Sequence, residues 1–256
     1  MRYAIIGGTG VYNLESAVRE GSVETPYGAV DYSVINRNGR EIIFLPRHGK
    51  RHGTPPHKIN YRGNLWALKE LGVEYVLSTV AVGSLLPELR PGELVLLGDF
   101  IDFTKGRIQT FYEGAAGVAH VAMAEPYCPM LRERLKEQAA LAELELWPEA
   151  VYVCTEGPRF ETAAEIRFYR NAGGEVVGMT SVPEVVLAKE LGICYASVGI
   201  VTNMATGMEQ TEAGGEEILA VVESQKSRLG ELFLSVLSEL EADPGECSCA
   251  SALMKL

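Results

Sequence analysis

An α/β fold built on a central sheet is the class this sequence predicts, and three observations carry it. Short apolar, β-branched runs alternate along the chain with segments of helical period. Several of these runs end in glycine-bearing or polar turns, as strands do before a loop or helix. The length of 256 residues, 47% of them apolar, with a mean hydropathy of +0.05, suits one compact domain.

Tyr3–Ile6 predicts a strand ending in Gly7-Gly8-Thr9-Gly10, and Glu41–Leu45 predicts another that runs into a basic loop. Tyr61–Leu71 reads as an amphipathic helix stopped by Gly72, and Tyr75–Val80 as a buried strand leading to Gly83. A helix over Pro129–Leu144 is rich in Leu, Arg, Glu and Ala. The run Val151–Cys154 predicts a strand before the Gly157-Pro158 turn, and Thr162–Arg170 a helix that stops before Gly173. After a short apolar strand ending at Gly178-Met179-Thr180, Ser181 and Glu184 match a capping box. Pro183 then sits in the first turn and Gly192 ends the helix. Cys194–Val201 is an apolar strand. The long helix Thr211–Leu240 places Ile218, Leu219, Val222, Leu229, Leu232, Phe233, Val236 and Leu237 at a period of about 3.6 residues. Residues 1–240 are expected to form a single domain, and the tail 241–256 to be irregular.

With 23 Lys plus Arg against 34 Asp plus Glu, the formal charge is −11, a poor match to a nucleic acid. No apolar run reaches the length of a membrane span, and the opening MRYAIIGGTG carries no cleavage-like signal, so a cytoplasmic location is expected. Five scattered cysteines do not form a secreted framework. The charge is uneven, however. Arg47, His48, Lys50, Arg51, His52, His57 and Lys58 follow one another without an acid. This points to a pocket for a small anion. His48, His52 and His57 lack a Cys or carboxylate partner in the loop, so no metal is expected there.

Five segments carry candidate chemistry, each with a plainer reading beside it. In GGTG, backbone N–H groups and the Thr9 hydroxyl suit a phosphate, although a tight turn explains the glycines equally well. The spacing matches neither a dinucleotide fingerprint nor a P-loop. Arg47 offers a planar fork and His48 a further donor, or both belong to a solvated loop. Thr180 precedes a helix and suits an anion there; with Met179 it also reads as core plus structural Thr. Asn203 carries a donor and an acceptor on one amide, or is a turn residue before Gly207. Phe160 and Glu161 pair a ring with a carboxylate, or are a packed Phe and a helix-start Glu. Several of these segments follow apolar strands, whose carboxyl ends form the ligand crevice in open α/β sheets.

The ordered blocks AIIGGTG, PRHG, NYRGNLWALKELG, AMAEPYCP, EGPRFET, GMTSVPEVVLAKELGICYAS and VTNMATG resemble the methylthioadenosine phosphorylase branch of the trimeric purine nucleoside phosphorylases. The resemblance runs from Arg2 to about Leu240. It implies a mixed, partly barrel-like central sheet flanked by helices, and a homotrimer or hexamer. The implied reaction is reversible phosphorolysis: phosphate attacks C1′ as the purine leaves through an oxocarbenium-like state. Phosphate is the co-substrate and no metal or organic cofactor is implied. The phosphate residues are Thr9, Arg47, His48, the Ala81 backbone and Thr180, with Val80 where this branch typically has a threonine. Met179 is expected on the ribose and Phe160 on the base, and His120 is expected to reach a neighbouring subunit's site. Asn203 and His48 are the expected catalytic residues. The family also leaves open whether Cys247 and Cys249 form a local disulfide, as in some heat-stable relatives, or stay reduced.

The base site departs from the adenine pattern. Adenine-specific members carry aspartates at the positions of Asn203 and Ala205 and a small hydroxyl residue at that of Glu161. Glu161 with Asn203 resembles the pair that reads 6-oxopurines. A 6-oxopurine N1–H is a donor that a carboxylate accepts, whereas the bare N1 of adenine would be repelled by it. Inosine, guanosine and 5′-methylthioinosine are therefore the expected nucleosides, with release of adenine from methylthioadenosine as the alternative. On the last helix, Gly215 stands where a histidine holds the 5′-hydroxyl in purine nucleoside phosphorylases, and Ile218 and Leu219 lie one turn on. That apolar wall suits a methylthio group. Two other classes remain: a hydrolase using water and an Asp-bound metal, and a nucleotide-binding module without catalysis.

Overall fold

Both faces of the central strands are covered, which is why their sequences are apolar throughout rather than alternating. A computed structural model of the chain describes residues 2–8, 17–49, 53–208, 214–241 and 247–255. Its elements are β1 (Tyr3–Gly7), β2 (Ala17–Thr25), β3 (Gly28–Arg37), β4 (Arg40–Pro46), α1 (Tyr61–Glu70), β5 (Tyr75–Ser84), β6 (Leu94–Asp102) and β7 (Ala119–Val121). These are followed by α2 (Pro129–Leu141), β8 (Leu146–Cys154), α3 (Ala163–Asn171), β9 (Val176–Gly178), α4 (Ser181–Glu190), β10 (Cys194–Met204), α5 (Gly215–Glu239) and β11 (Leu253–Lys255). On β1, Tyr3 and Ile5 join a core packed under α2 and α5, while Ala4 and Ile6 join one packed under α1 and α4. The α3 residues Ile166 and Tyr169 seal a smaller cluster with Val153 and Val177.

The large sheet is mixed, in the order β10-β6-β8-β9-β5-β1-β4-β3-β2, and β10 also pairs with β5. The second pairing closes β10, β6, β8, β9 and β5 into a ring. The partly barrel-like sheet is therefore present. Parallel pairs β1–β4, β1–β5 and β5–β10 sit beside antiparallel pairs β5–β9 and β6–β10.

Several boundaries differ from expectation for physical reasons. β5 does not turn at Gly83 but continues to Ser84, because β9 and β10 pair with its end. The capping box at Ser181 is not formed. The residue preceding α4 is Thr180, Val182 is non-helical, and the Ser181 hydroxyl bonds the Tyr127 hydroxyl at 2.7 Å. The true box lies at α3, where Thr162 accepts from the Glu165 N–H and Glu165 accepts in return. Nor is the tail irregular over 247–255: β11 pairs antiparallel with β7, and Cys249 is buried. The expected helix start at Thr211 lies outside the described residues.

Closing the ring brings β5, β6 and β10 so close that Gly199 has no room for a side chain. A Cβ there would lie 2.8 Å from Val95 Cγ1 and 3.2 Å from Val82 Cγ2. Gly199→Ala is expected to cost about 1–3 kcal/mol in urea unfolding. Adding Val95→Ala makes room, so the double variant is expected to lose less than the sum of the two single losses. Strict additivity would show that this contact does not limit the ring.

Candidate active site

The buried centre of the site is an ion pair. Arg47 follows β4 and Glu184 sits in the first turn of α4, and neither side chain is exposed. The guanidinium meets the carboxylate in a fork, Nε to Oε2 at 2.7 Å and Nη2 to Oε1 at 2.8 Å. Arg47 also donates to the Thr79 carbonyl at 2.7 Å and to the Ser78 hydroxyl, both on β5. Glu184 accepts in addition from Tyr195 on β10 at 2.7 Å. Burial alone would weaken the Arg47 charge. The carboxylate outweighs it, so the guanidinium stays protonated far above its ordinary range. Four of the five guanidinium N–H directions are thus engaged by the protein itself. At Gly8 the first turn has no room for a side chain: a Cβ there would lie 2.6 Å from Arg47 Nη1, and the Gly8 N–H already donates to Thr79 Oγ1 at 2.8 Å.

A cavity of about 240 Å³ opens above this pair. It is lined by Arg47, His48, Ala81, Thr180, Phe160, Glu161, Met179, Asn203, Ala205 and Ile218, together with Gly83, Thr202 and others. His48 is buried, and its Nδ1 lies 2.8 Å from the Thr54 carbonyl, which accepts; that nitrogen therefore carries the proton. Glu161 precedes α3, and its Oε1 accepts from Thr155 Oγ1 at 2.6 Å. One carboxylate oxygen is thereby fixed to the end of β8. Asn203 follows a bulge where the β5–β10 register shifts, between Val201 and Asn203. Its Oδ1 accepts from Thr202 Oγ1 at 2.8 Å and its Nδ2 donates to the Met204 carbonyl at 2.9 Å. Flipping the amide would set two oxygens against each other, so the orientation is determined. One N–H remains on this amide beyond its bond to Met204.

The sequence and the fold have counterparts among known proteins. A family model described as "Phosphorylase superfamily" matches residues 2–238. The chain belongs to the phosphorylase superfamily. A probable 6-oxopurine nucleoside phosphorylase of Moorella thermoacetica is 49% identical over 259 residues, covering 100% of this chain and 99% of that relative. A probable S-methyl-5′-thioinosine phosphorylase of Methanothermobacter thermautotrophicus is 44% identical, covering 97% of this chain and 88% of that protein. The S-methyl-5′-thioadenosine phosphorylase of Pyrococcus furiosus is 42% identical, covering 98% and 97%. Among solved structures, methylthioadenosine phosphorylase from Schistosoma mansoni in complex with tubercidin superposes with a TM-score of 0.88. It is 34% identical and covers 93% of this chain and 90% of that one.

Of the other expected residues, some lie outside the described residues and some do not line the cavity. Thr9 lies outside the described residues, as do Lys50, Arg51 and His52. Val80 turns into the core at 1% exposure while its neighbour Ala81 lines the cavity. Gly215 and Leu219 do not line it. A Cβ at Gly215 meets nothing within 4 Å, and Leu219 is 53% exposed, so Ile218 alone of that trio forms wall. His120 is exposed on β7, apart from this cavity. Glu161 is not a helix-start residue, since Thr162 and Glu165 form the α3 box.

Other residues were missed. Glu184 was hidden by its match to a capping box, though a carboxylate inside the apolar run VPEVVLA is a signal for a buried partner. Arg107 gives no local signal at all. It donates to the carbonyls of Val182, Thr155 and Glu156 at 2.6, 3.0 and 2.7 Å, tying the loop that bears Glu161 to the start of α4.

Removing Glu184 strands a buried guanidinium. Glu184→Ala is expected to cost about 3–5 kcal/mol in urea unfolding. Arg47→Ala should cost a similar amount, so an Arg47 variant tests the fold before it tests a ligand. A loss within about 0.5 kcal/mol, as at an unremarkable surface site, would refute the role of the pair.

Proposed function

We propose that the protein catalyses reversible phosphorolysis of purine nucleosides, releasing the free base and a ribose 1-phosphate or its 5-methylthio counterpart, with preference for 6-oxopurines. The observation that carries the preference is the joint presence of the Glu161 carboxylate and the Asn203 amide in one cavity with His48 and Thr180. Glu161 keeps one oxygen beyond its Thr155 bond to accept the N1–H of hypoxanthine or guanine. The remaining Asn203 N–H donates to N7 or O6, both acceptors. As phosphate oxygen bonds to C1′, the C1′–N9 bond breaks and its electron pair passes into the purine, where that N–H stabilises the charge. His48, Thr180, the Ala81 backbone and the last Arg47 N–H form the phosphate end, and Met179 and Phe160 cover sugar and base.

Sequence relatives named for 6-oxopurine nucleosides support the base preference, and relatives named for S-methyl-5′-thioinosine support the 5′ group. Ile218 supplies an apolar wall for that group. The reading includes a homotrimer, or a hexamer built from it, in which the exposed His120 reaches a neighbour's site. It includes phosphate as co-substrate without a cofactor, and a cytoplasmic location. Among the described residues no helix is long and apolar enough to cross a membrane.

Base release from inosine, guanosine, adenosine and their methylthio analogues is expected to require phosphate. Thr180→Val removes a hydroxyl while keeping its shape, and should raise the phosphate KM by about ten- to a hundredfold, the worth of a hydrogen bond to a charged group. Base release at full rate without phosphate would indicate a hydrolase instead.

For the base, kcat/KM on 5′-methylthioinosine should exceed that on methylthioadenosine, by as much as about 10⁴-fold if Glu161 works as described. The combination Glu161→Ser, Asn203→Asp and Ala205→Asp should move activity toward adenine. Faster cleavage of methylthioadenosine by the unaltered protein would overturn the assignment of Glu161 and favour an adenine-releasing enzyme.

A further inference from the structure

Four of the five cysteines, distant in sequence, come together where the C-terminal tail meets the sheet. Cys128 immediately precedes α2, Cys194 opens β10, and Cys247 and Cys249 belong to the tail. Their sulfurs all lie within 4.8 Å of one another. The Cys194 and Cys247 sulfurs are 3.4 Å apart, and Cys249 interacts with each of the other three. Cys128, Cys194 and Cys249 are buried, and none of the four lines the nucleoside cavity.

We propose that Cys128, Cys194, Cys247 and Cys249 form a structural tetrathiolate site for Zn²⁺ that fastens the tail to the sheet. With Zn–S bonds of about 2.3 Å, a tetrahedral centre sets its sulfurs about 3.8 Å apart on every edge, the scale of this cluster. Two separate disulfides would require only two of the six contacts. A Cys247–Cys249 bridge would also close across a single residue, which strains it. Four protein sulfurs fill the coordination shell and leave no open position, so the ion serves the fold and not the reaction. Binding exchanges thiol protons for the metal and involves no change of oxidation state. It leaves a centre of net negative charge, with the buried Lys189 as a cation beside Cys249.

The site explains how the tail is held. β11 and β7 pair over three residues, Leu253 with Val121, Met254 with His120 and Lys255 with Ala119. A ladder this short is marginal by itself. A metal bond to both tail cysteines fixes the segment just before it and makes the docking cooperative with metal binding.

The test uses the full-length protein, purified without chelator under reducing conditions and analysed for metal. The expected content is one Zn²⁺ per chain, falling to background in Cys249→Ser and in the Cys247→Ser, Cys249→Ser double variant. Because these variants can fail to fold, Co²⁺ loaded into the unaltered protein gives a second readout. Tetrahedral thiolate coordination produces intense visible d–d bands with sulfur-to-cobalt charge transfer. Below about a tenth of an equivalent of Zn²⁺ after reduction and reconstitution, with no such bands, the proposal fails. It fails in the same way whether intact mass then shows four thiols or the hydrogen loss of disulfides.

Discussion

The Arg47–Glu184 ion pair is enclosed on every side, and a charge left alone in that position would cost several kcal/mol. Its complete set of partners therefore fixes where four elements meet. The end of β4 brings the guanidinium, α4 brings the carboxylate, β5 contributes the Ser78 hydroxyl and the Thr79 carbonyl, and β10 contributes the Tyr195 hydroxyl. The first turn must then pass without a side chain at Gly8. His48, next in sequence to Arg47, and Thr180, which precedes α4, reach the cavity from this foundation. The surface proposed to hold phosphate, built on so constrained a base, needs little reorganisation when its ligand arrives.

At the base end the arrangement is different in kind. The two side chains proposed to read the purine are held by few protein partners, Glu161 by Thr155 and Asn203 by Thr202 and Met204. Each keeps hydrogen-bonding capacity toward the cavity. Arg107 holds the loop through three carbonyls and does not line the cavity. A scaffold of this design can exchange one base-reading set for another without altering its core. That fits the occurrence of 6-oxopurine and thioadenosine enzymes among relatives of similar coverage.

The elements that the sequence made legible are those whose physics is local or periodic. The buried strands β1, β4, β5 and β10 and the helices α1, α2 and α3 fall within a few residues of expectation because continuous apolar runs and helical periods announce them. β2 and β3 escaped because their faces mix polar and apolar residues, and β6 because its second half is half-solvated. Ser181 and Glu184 show the opposite failure, a local signal that matched a pattern and was overruled by distant partners, Tyr127 for Ser181 and, 137 residues away, Arg47 for Glu184. The cavity residues were legible largely through the family resemblance, since Arg47, Thr180 and Glu161 each had a plausible plain role. Residues such as Arg107, whose partners are mostly carbonyls distant in sequence, leave no trace in a single sequence.

Ring closure has a consequence for how the molecule behaves among its own copies. Because β10 pairs with both β5 and β6, the nine-stranded sheet among the described residues has one open flank, β2. An open flank offers unpaired backbone groups on which a foreign strand can nucleate and propagate a fibre. Here that flank carries Arg19, Glu20 and Glu24 in nine residues, and Arg19 is bridged to Glu41. An approaching strand would have to strip water from these charges before it could form a ladder. The same closure that shapes the cavity thus leaves the nine-stranded sheet, among the described residues, one charge-guarded edge open to a foreign strand.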